Sequence, residues 1–428
     1  MPGRRARVHP GSLEPPRRRL KRSHRTDSRL AWAGGPGPPP EGEGKYAGPM
    51  DASLPVDYVP ELRKQPPWLM EEMVAAEPSL VAPIFAATGP AGRIAALVKK
   101  TAREKSPIVV TGCGTSETAA MAVADLLAQA IMRTGTGFPM VHARQALEAS
   151  EDPWPGGLCL GISHEGSTRA TILAMQAARG VGAATILITP REGSPAVAIA
   201  DAVFVTPLID RSWCHTAGYL SPILAGAAIA HAVDGSVIDA RGLEVALQET
   251  LAGASQVASV ARALHGVERL VTVGSGPDRS PARELALKIE EGVWLPARML
   301  DLETILHGHL AACDERTGLV LMATGGDDRV LARARMMVGA ARRVGVRVSA
   351  IVSRAVDRSL SDLDLERVAL SESLEPYGLV GRFAGTALAL QQLTLALSRL
   401  AGTNPDLIRR QQEPYREAAR VAETSTSW

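Results

Sequence analysis

The chain has 428 residues, a formal net charge of +2 and 21% charged residues, a length that suits two or three domains with substantial cores. The near-zero net charge gives no reason to expect a nucleic-acid partner, and no apolar stretch is long enough to span a membrane. Cys113, Cys159, Cys214 and Cys313 stand without CxxC or metal-ligand spacing, which reads as reduced thiols in a cytoplasmic protein.

The first 49 residues carry "EPPRRRLKRSHR" and "GGPGPPPEGEG". Such a segment buries almost nothing apolar and reads as a disordered arm, with a basic arm for nucleic acid or an anionic surface as the alternative. It lacks the apolar centre of a secretory signal, and Met50 opens a more ordinary sequence. Residues 50–94 contain "ELRKQPPWLMEEMVAAEPSL", a helical segment expected to pack on the first domain.

Short apolar runs follow. "PIVVTGC" (107–113), "GLCLGIS" (157–163), "ATILITP" (184–190) and "DAVFVTP" (201–207) form one set. "ERLVTVGSG" (268–276), "TGLVLMATG" (317–325), "VRVSAIVS" (346–353) and "ERVALSE" (366–372) form a second, displaced by about 160 residues, which is an internal repeat. Continuous rather than alternating apolar character is expected of parallel strands covered on both faces. Ala-rich helical stretches such as "TRATILAMQAARGVG" lie between the runs. The expected fold is α/β, with two tandem doubly wound, flavodoxin-like parallel-sheet domains at 95–237 and 238–400 and a tail at 401–428. Asp239–Leu264 reads as one amphipathic helix joining the halves.

In such sheets ligands sit at the carboxyl ends of strands, where helix N-termini offer free amides. "GCGTS" (112–116) and "SHEGST" (163–168) are Gly- and hydroxyl-rich turns at two such ends, suited to an anion, although either alone also fits a plain N-cap. Walker A and GxGxxG patterns are absent from them. The second copy has no equivalent loop; its second strand ends in "TGGDD". Instead "PARELALKIEEGVW" places Glu284, Lys288 and Glu291 on one helical face, either a salt-bridged surface or, with His307 and His309 of "ILHGHLA", a proton-transfer centre.

At these residues the chain resembles the tandem sugar-isomerase (SIS) domain family, including the isomerase module of glucosamine-6-phosphate synthase and the amino-sugar-phosphate deaminase/isomerases. "TGCGTS" matches the family's first substrate loop, with Gly114, Thr115 and Ser116. "SHEGST", with Ser163, His164, Glu165, Gly166, Ser167 and Thr168, stands where the family has a Ser-x-Ser-Gly-x-Thr phosphate loop. "GSGPDRSPARELALKIEEG" matches the helix bearing a catalytic lysine and glutamate, here Lys288 and Glu291. "LHGHL" matches the loop of the ring-opening histidine, here His307. "DRSWCHTAG" (210–218) resembles the deaminase/isomerase branch, with Thr216 lining the sugar site.

The resemblance implies a phosphosugar ligand held by Thr115, Ser116, Ser163, Ser167 and Thr168. It implies ring opening by His307, proton transfer between C1 and C2 by Glu291, and an enediol oxygen steadied by Lys288. It implies no metal or organic cofactor, and a homodimer in which the His307 loop lies near the neighbouring subunit's site. The expected activity is an aldose–ketose isomerase or deaminase of an amino-sugar 6-phosphate. A deglycase of a sugar-phosphate–amine adduct, a glutaminase-less amination module and a non-enzymatic sugar-phosphate sensor are the alternatives.

Three departures matter. Residues 2 onward, "PGRRARVHP", lack the synthase's cysteine nucleophile, and the tail after Gly402 has no lysine. Glu165 occupies a serine position, so a carboxylate would face a phosphate unless it turns away or is paired, with His164 and Arg169 as candidate partners. His231 reads as a hydrogen-bonded core histidine. Cys113 and Cys214 read as packing, with a helix N-terminus expected to be able to lower the Cys113 thiol.

Overall fold

The computed structural model describes residues 58–424, and in it the apolar runs become strands. The first sheet holds β1 (Ile108–Gly112), β2 (Val141–Gln145), β3 (Leu158–Ile162), β4 (Ala184–Thr189) and β5 (Ala202–Val205), in the order β2-β1-β3-β4-β5. The second holds β6 (Arg269–Val273), β7 (Ala297–Leu300), β8 (Thr317–Ala323), β9 (Arg347–Val352) and β10 (Glu366–Ala369), in the order β7-β6-β8-β9-β10. Every ladder is parallel, and the two orders are the same topology written twice. The strands β2 and β7 lay outside the expected set. "VHARQ" and "ARML" sit at or beside a sheet edge, partly exposed and carrying charge, so they lack the unbroken apolar signal of the central strands.

The helices α1 (Leu69–Ala76), α2 (Val81–Ala86) and α3 (Thr88–Arg103) precede the first sheet. Within the first half come α4 (Thr115–Thr134), α5 (Ala146–Glu151), α6 (Arg169–Gly180) and α7 (Ala217–Asp234). Then follow α8 (Ala240–Leu251), α9 (Ala254–Leu264), α10 (Arg279–Lys288), α11 (Asp328–Arg343), α12 (Arg354–Ser359), α13 (Gly378–Ala401) and α14 (Glu413–Thr424). The single helix expected over Asp239–Leu264 is two helices. The chain turns at Ala252–Gly253, where glycine is a poor helix former, so α8 packs on α2 and α13 while α9 covers β9 and β10. The basic arm at 1–49 lies outside the described residues.

Two helices are buried nearly all round. Every residue of α7 from Ala217 to Ala230 is buried, and so is most of α13. They lie at the junction of the halves, which share one apolar core. Leu224 is fully buried there, and truncating it to alanine would cost about 2–5 kcal/mol. Polar pins cross the same junction: Tyr219 Oη lies 2.9 Å from Ser280 Oγ, and the Ser280 hydroxyl donates to the Thr118 carbonyl at 2.8 Å. Among the described residues no single helix is long and apolar enough to cross a membrane.

The tail ties the fold together. Buried Asp406 accepts the Leu69 and Met70 amides at 2.8 Å each, capping α1, and its carbonyl accepts the Trp213 amide at 2.9 Å. The Thr403 hydroxyl donates to the Gly292 carbonyl at 2.7 Å. One short segment thus holds the first helix, the 210–218 loop and the turn that carries Glu291.

Candidate functional site

The loop after β3 closes on itself. The Gly166 amide donates to Ser163 Oγ at 2.9 Å, and that hydroxyl donates to Thr168 Oγ1 at 3.2 Å. Gly166 has φ +61°, and a Cβ there would meet Ser194 Oγ at 2.0 Å, so this position admits glycine alone. Ser167 is exposed at the turn's tip. Glu165 does not stand as a bare charge in the loop. Its Oε2 pairs with buried Arg191 Nε at 2.9 Å, and its Oε1 lies 3.7 Å from His164 Nε2. Burial still lifts the Glu165 carboxyl, with Arg191 opposing.

His164 is buried, and its Nε2 accepts the Asp210 amide at 3.2 Å. His215 stacks beside it, with ring centroids 4.5 Å apart. Burial pushes both imidazoles down to about 3; the neighbouring His215 adds to this at His164, and the Lys288 charge adds to it at His215. Both rings are therefore neutral at physiological pH. Asp210 organises this corner by accepting the Ser212, Thr216 and Gly218 amides at 3.1, 2.6 and 3.1 Å, at the start of α7. Thr216 is wholly buried, its hydroxyl 3.5 Å from Asp210 Oδ2 and its carbonyl bound by Gln391.

The second half supplies the remaining wall. After α10 the chain widens into a π turn, Ile289–Val293, a local irregularity that often marks functional positions. Lys288 is 0% exposed and pairs with Glu291, which remains 21% exposed, and with buried Glu284 at 3.5 Å. Burial pulls the Lys288 ammonium downward, but Glu291 and Glu284 outweigh it and hold it firmly protonated. Burial lifts the Glu284 carboxyl, with Lys288 and Thr118 opposing. Thr115 and Thr118 donate hydroxyls to Glu284 at 3.2 and 2.5 Å. Thr115, expected at a phosphate, is thus committed to the helix of the other half, and buried Ser116 follows it beside Gly114.

His307 stands apart. It is 69% exposed, and its Nε2 lies 2.7 Å from Glu303 Oε1, which also pairs with Arg333. Within one chain the imidazole that feels the Lys288 charge is that of His215. Two minor expectations change. The Cys113 thiol is raised rather than lowered, because burial outweighs any gain from the start of α4. His231 bonds Ser236 Oγ at 2.6 Å as expected, but it lies near the partly exposed end of α7 rather than in the core. Sequence reasoning passed over Asp210, Arg191 and His215. Asp210 and His215 both stood in the quoted "DRSWCHTAG" motif, but Arg191 lay outside every quoted stretch.

The fold defines a duplicated, doubly wound α/β protein in which strand-end loops of one half pack against a helix of the other. Residues 102–231 match the SIS domain model, and the second half of the chain repeats the sheet topology of the half that contains them. It is 26% identical over 244 residues to glutamine–fructose-6-phosphate aminotransferase (isomerizing) 1 of Arabidopsis thaliana, covering 53% of this chain and 35% of that protein. It is 27% identical over 243 residues to the corresponding enzyme of Halobacterium salinarum, covering 53% of this chain and 40% of that one. The chain therefore spans well under half the length of these curated relatives. In structure it is similar to the C-terminal domain of glucosamine-fructose-6-phosphate aminotransferase from Francisella tularensis, with a TM-score of 0.69, 16% identity, and coverage of 81% of this chain and 99% of that one. It is also similar to tagatose-6-phosphate ketose/aldose isomerase from Escherichia coli, with a TM-score of 0.62, 18% identity, and coverage of 82% and 98%. At these identities the structural likeness speaks for the fold.

Proposed function

We propose that the chain is an aldose–ketose isomerase or deaminase acting on an amino-sugar 6-phosphate. The observation that carries this reading is the Lys288–Glu291 pair, whose ammonium charge is felt at His215, the ring that lies against His164 of the Ser163–Thr168 loop. A sugar-phosphate sensor needs the loop but has no use for a partly exposed carboxylate backed by a buried ammonium.

In the open-chain sugar, Glu291 takes the proton from one of C1 and C2 and returns it to the other. Lys288, kept charged by its two carboxylates, donates to the enediol oxygen where negative charge develops. The phosphate docks at Ser163, Ser167 and Thr168, with the Glu165 charge answered by Arg191. His307 works from a second copy of the chain, opening the ring by passing a proton to the ring oxygen, which is in keeping with its exposure. For an amino sugar, the proton transfer leaves an imine at C2, and water adds there to expel ammonia and leave the ketone.

The test is incubation with glucosamine 6-phosphate or fructose 6-phosphate in deuterated water, read by NMR, with ammonia measured in parallel. Deuterium entering at C1 or C2, abolished by Glu291→Gln, is the expected result. No exchange with any amino-sugar or ketose 6-phosphate would overturn the assignment. Mixing Glu291→Gln with His307→Ala chains tests the shared site: mixed dimers should recover activity that neither variant has alone.

A further inference from the structure

Three side chains that this proton transfer does not use meet at the Ser163–Thr168 loop. One donor atom each of His164, Glu165 and His215 lies within 4.8 Å of the others. The first two come from the loop after β3 and the third from the residue before Thr216, so only the fold brings them together. We propose that His164, Glu165 and His215 bind a first-row divalent transition-metal ion of the zinc class, beside Ser163 and Thr168.

The donor set is two imidazoles and one carboxylate, which suits Zn²⁺ or its neighbours and leaves a coordination position open. The surroundings orient each donor, as outer contacts do in metal sites. Arg191 holds Glu165 Oε2, leaving Oε1 turned toward His164 Nε2. Asp210 Oδ2 lies 3.9 Å from His215 Nδ1, and that nitrogen is buried without a hydrogen bond of ordinary geometry. With its N–H directed at Asp210, His215 presents Nε2 as the ligand atom. His164 Nε2 is held by a single long bond of 3.2 Å from the Asp210 amide, the one contact a metal would displace.

Charge points the same way. Arg191 and Lys288 are the cations near this corner, against the carboxylates of Glu165, Asp210, Glu284 and Glu291. A dication reduces that excess. It also gives a reason for a carboxylate in a loop otherwise made of hydroxyls and amides: metal and Arg191 share Glu165, and the open position takes an oxygen of the ligand. This runs against the expectation of a cofactor-free site and does not depend on which sugar is turned over.

The experiment uses the full chain, stripped with a chelator and dialysed against Co²⁺ or Zn²⁺. Metal content and the visible absorption of Co²⁺ are the readouts. The expected result is one Co²⁺ per chain with ligand-field bands of low coordination number. Glu165→Gln and His215→Gln should each weaken binding by about tenfold or more, while His231→Gln binds as the parent does. If His215→Gln fails to fold, Glu165→Gln carries the test, because Glu165 is partly exposed and its loss leaves the loop's own hydrogen bonds in place. No stoichiometric uptake, or uptake indifferent to Glu165→Gln, overturns the site. A chain that takes up metal but exchanges no sugar proton sustains this inference and sinks the isomerase reading; the converse result does the opposite.

Discussion

At the carboxyl edge of the first sheet, the loops after β1 and β3 present hydroxyls, amides and imidazoles. At the same edge of the second sheet, the corresponding loops are occupied from within. Asp278 accepts the Thr324 amide at 2.9 Å and the Thr324 hydroxyl, and Arg382 of α13 donates to Thr324 Oγ1 at 2.9 Å. The Arg382 guanidinium lies 3.5 Å from Asp278 and so close over Gly325 that a Cβ there would meet it at 2.6 Å. One strand order thus yields two different edges. The second is filled by an internal ion network, while its helix α10 sends Glu284 to the Thr115–Thr118 turn of the first half.

The largest expected effect tests the shared wall. Lys288→Ala should abolish turnover and leave Glu284 buried without its cation, lowering stability by about 3–5 kcal/mol in urea unfolding. Lys288→Ala chains as stable as the parent would mean that buried Glu284 does not need its cation. Glu291→Gln should cut kcat by roughly 10²–10⁴-fold while substrate still raises the melting temperature, because the base is lost and the loop is not. A matching loss of binding would place Glu291 in the binding wall instead.

Two further changes probe the filled edge. Arg382→Ala removes a partner from buried Thr324 and Asp278, and should destabilise by about 1–3 kcal/mol with kcat/KM unchanged. A large loss of kcat/KM in a folded Arg382→Ala chain would show that the second edge takes part in function. The smallest effect is expected at Asp125 of α4, whose carboxyl burial raises to about 6 against the pull of Arg279 and Arg382. Its folded pKa lies above the unfolded value, so its contribution is present below about pH 4 and is lost as pH rises through about 6. Asp125→Asn should flatten the stability–pH curve between those values and raise stability at pH 7 by no more than about 1 kcal/mol, because water screens this partly exposed carboxylate. An unchanged slope across that window would argue against a buried charge there.

Much of this was legible in the chain. The central strands announced themselves by unbroken apolar runs, because a parallel strand covered on both faces has no polar positions to interrupt it. Of the edge strands, β5 and β10 were legible but β2 and β7 were not, because partial exposure lets "VHARQ" and "ARML" carry charge. The face of Glu284, Lys288 and Glu291 was readable from helical spacing, although a solvated salt bridge would have the same spacing; only burial between the halves distinguishes the two. Glu165 was visible as an unexpected charge in a Gly-rich loop. Its partner Arg191 was not, since it follows a different strand and no local pattern links the two.

The sequence by itself determined the duplicated α/β fold, the two Gly-rich loops and the helix bearing lysine and glutamate, because each is encoded by periodicity or turn chemistry over a few neighbouring residues. The tertiary structure decided that Arg382 fills the second sheet's edge, which arginine answers Glu165, and that His164 and His215 stack. Those outcomes depend on contacts between segments far apart in the chain, where burial and charge pairing settle what local pattern cannot.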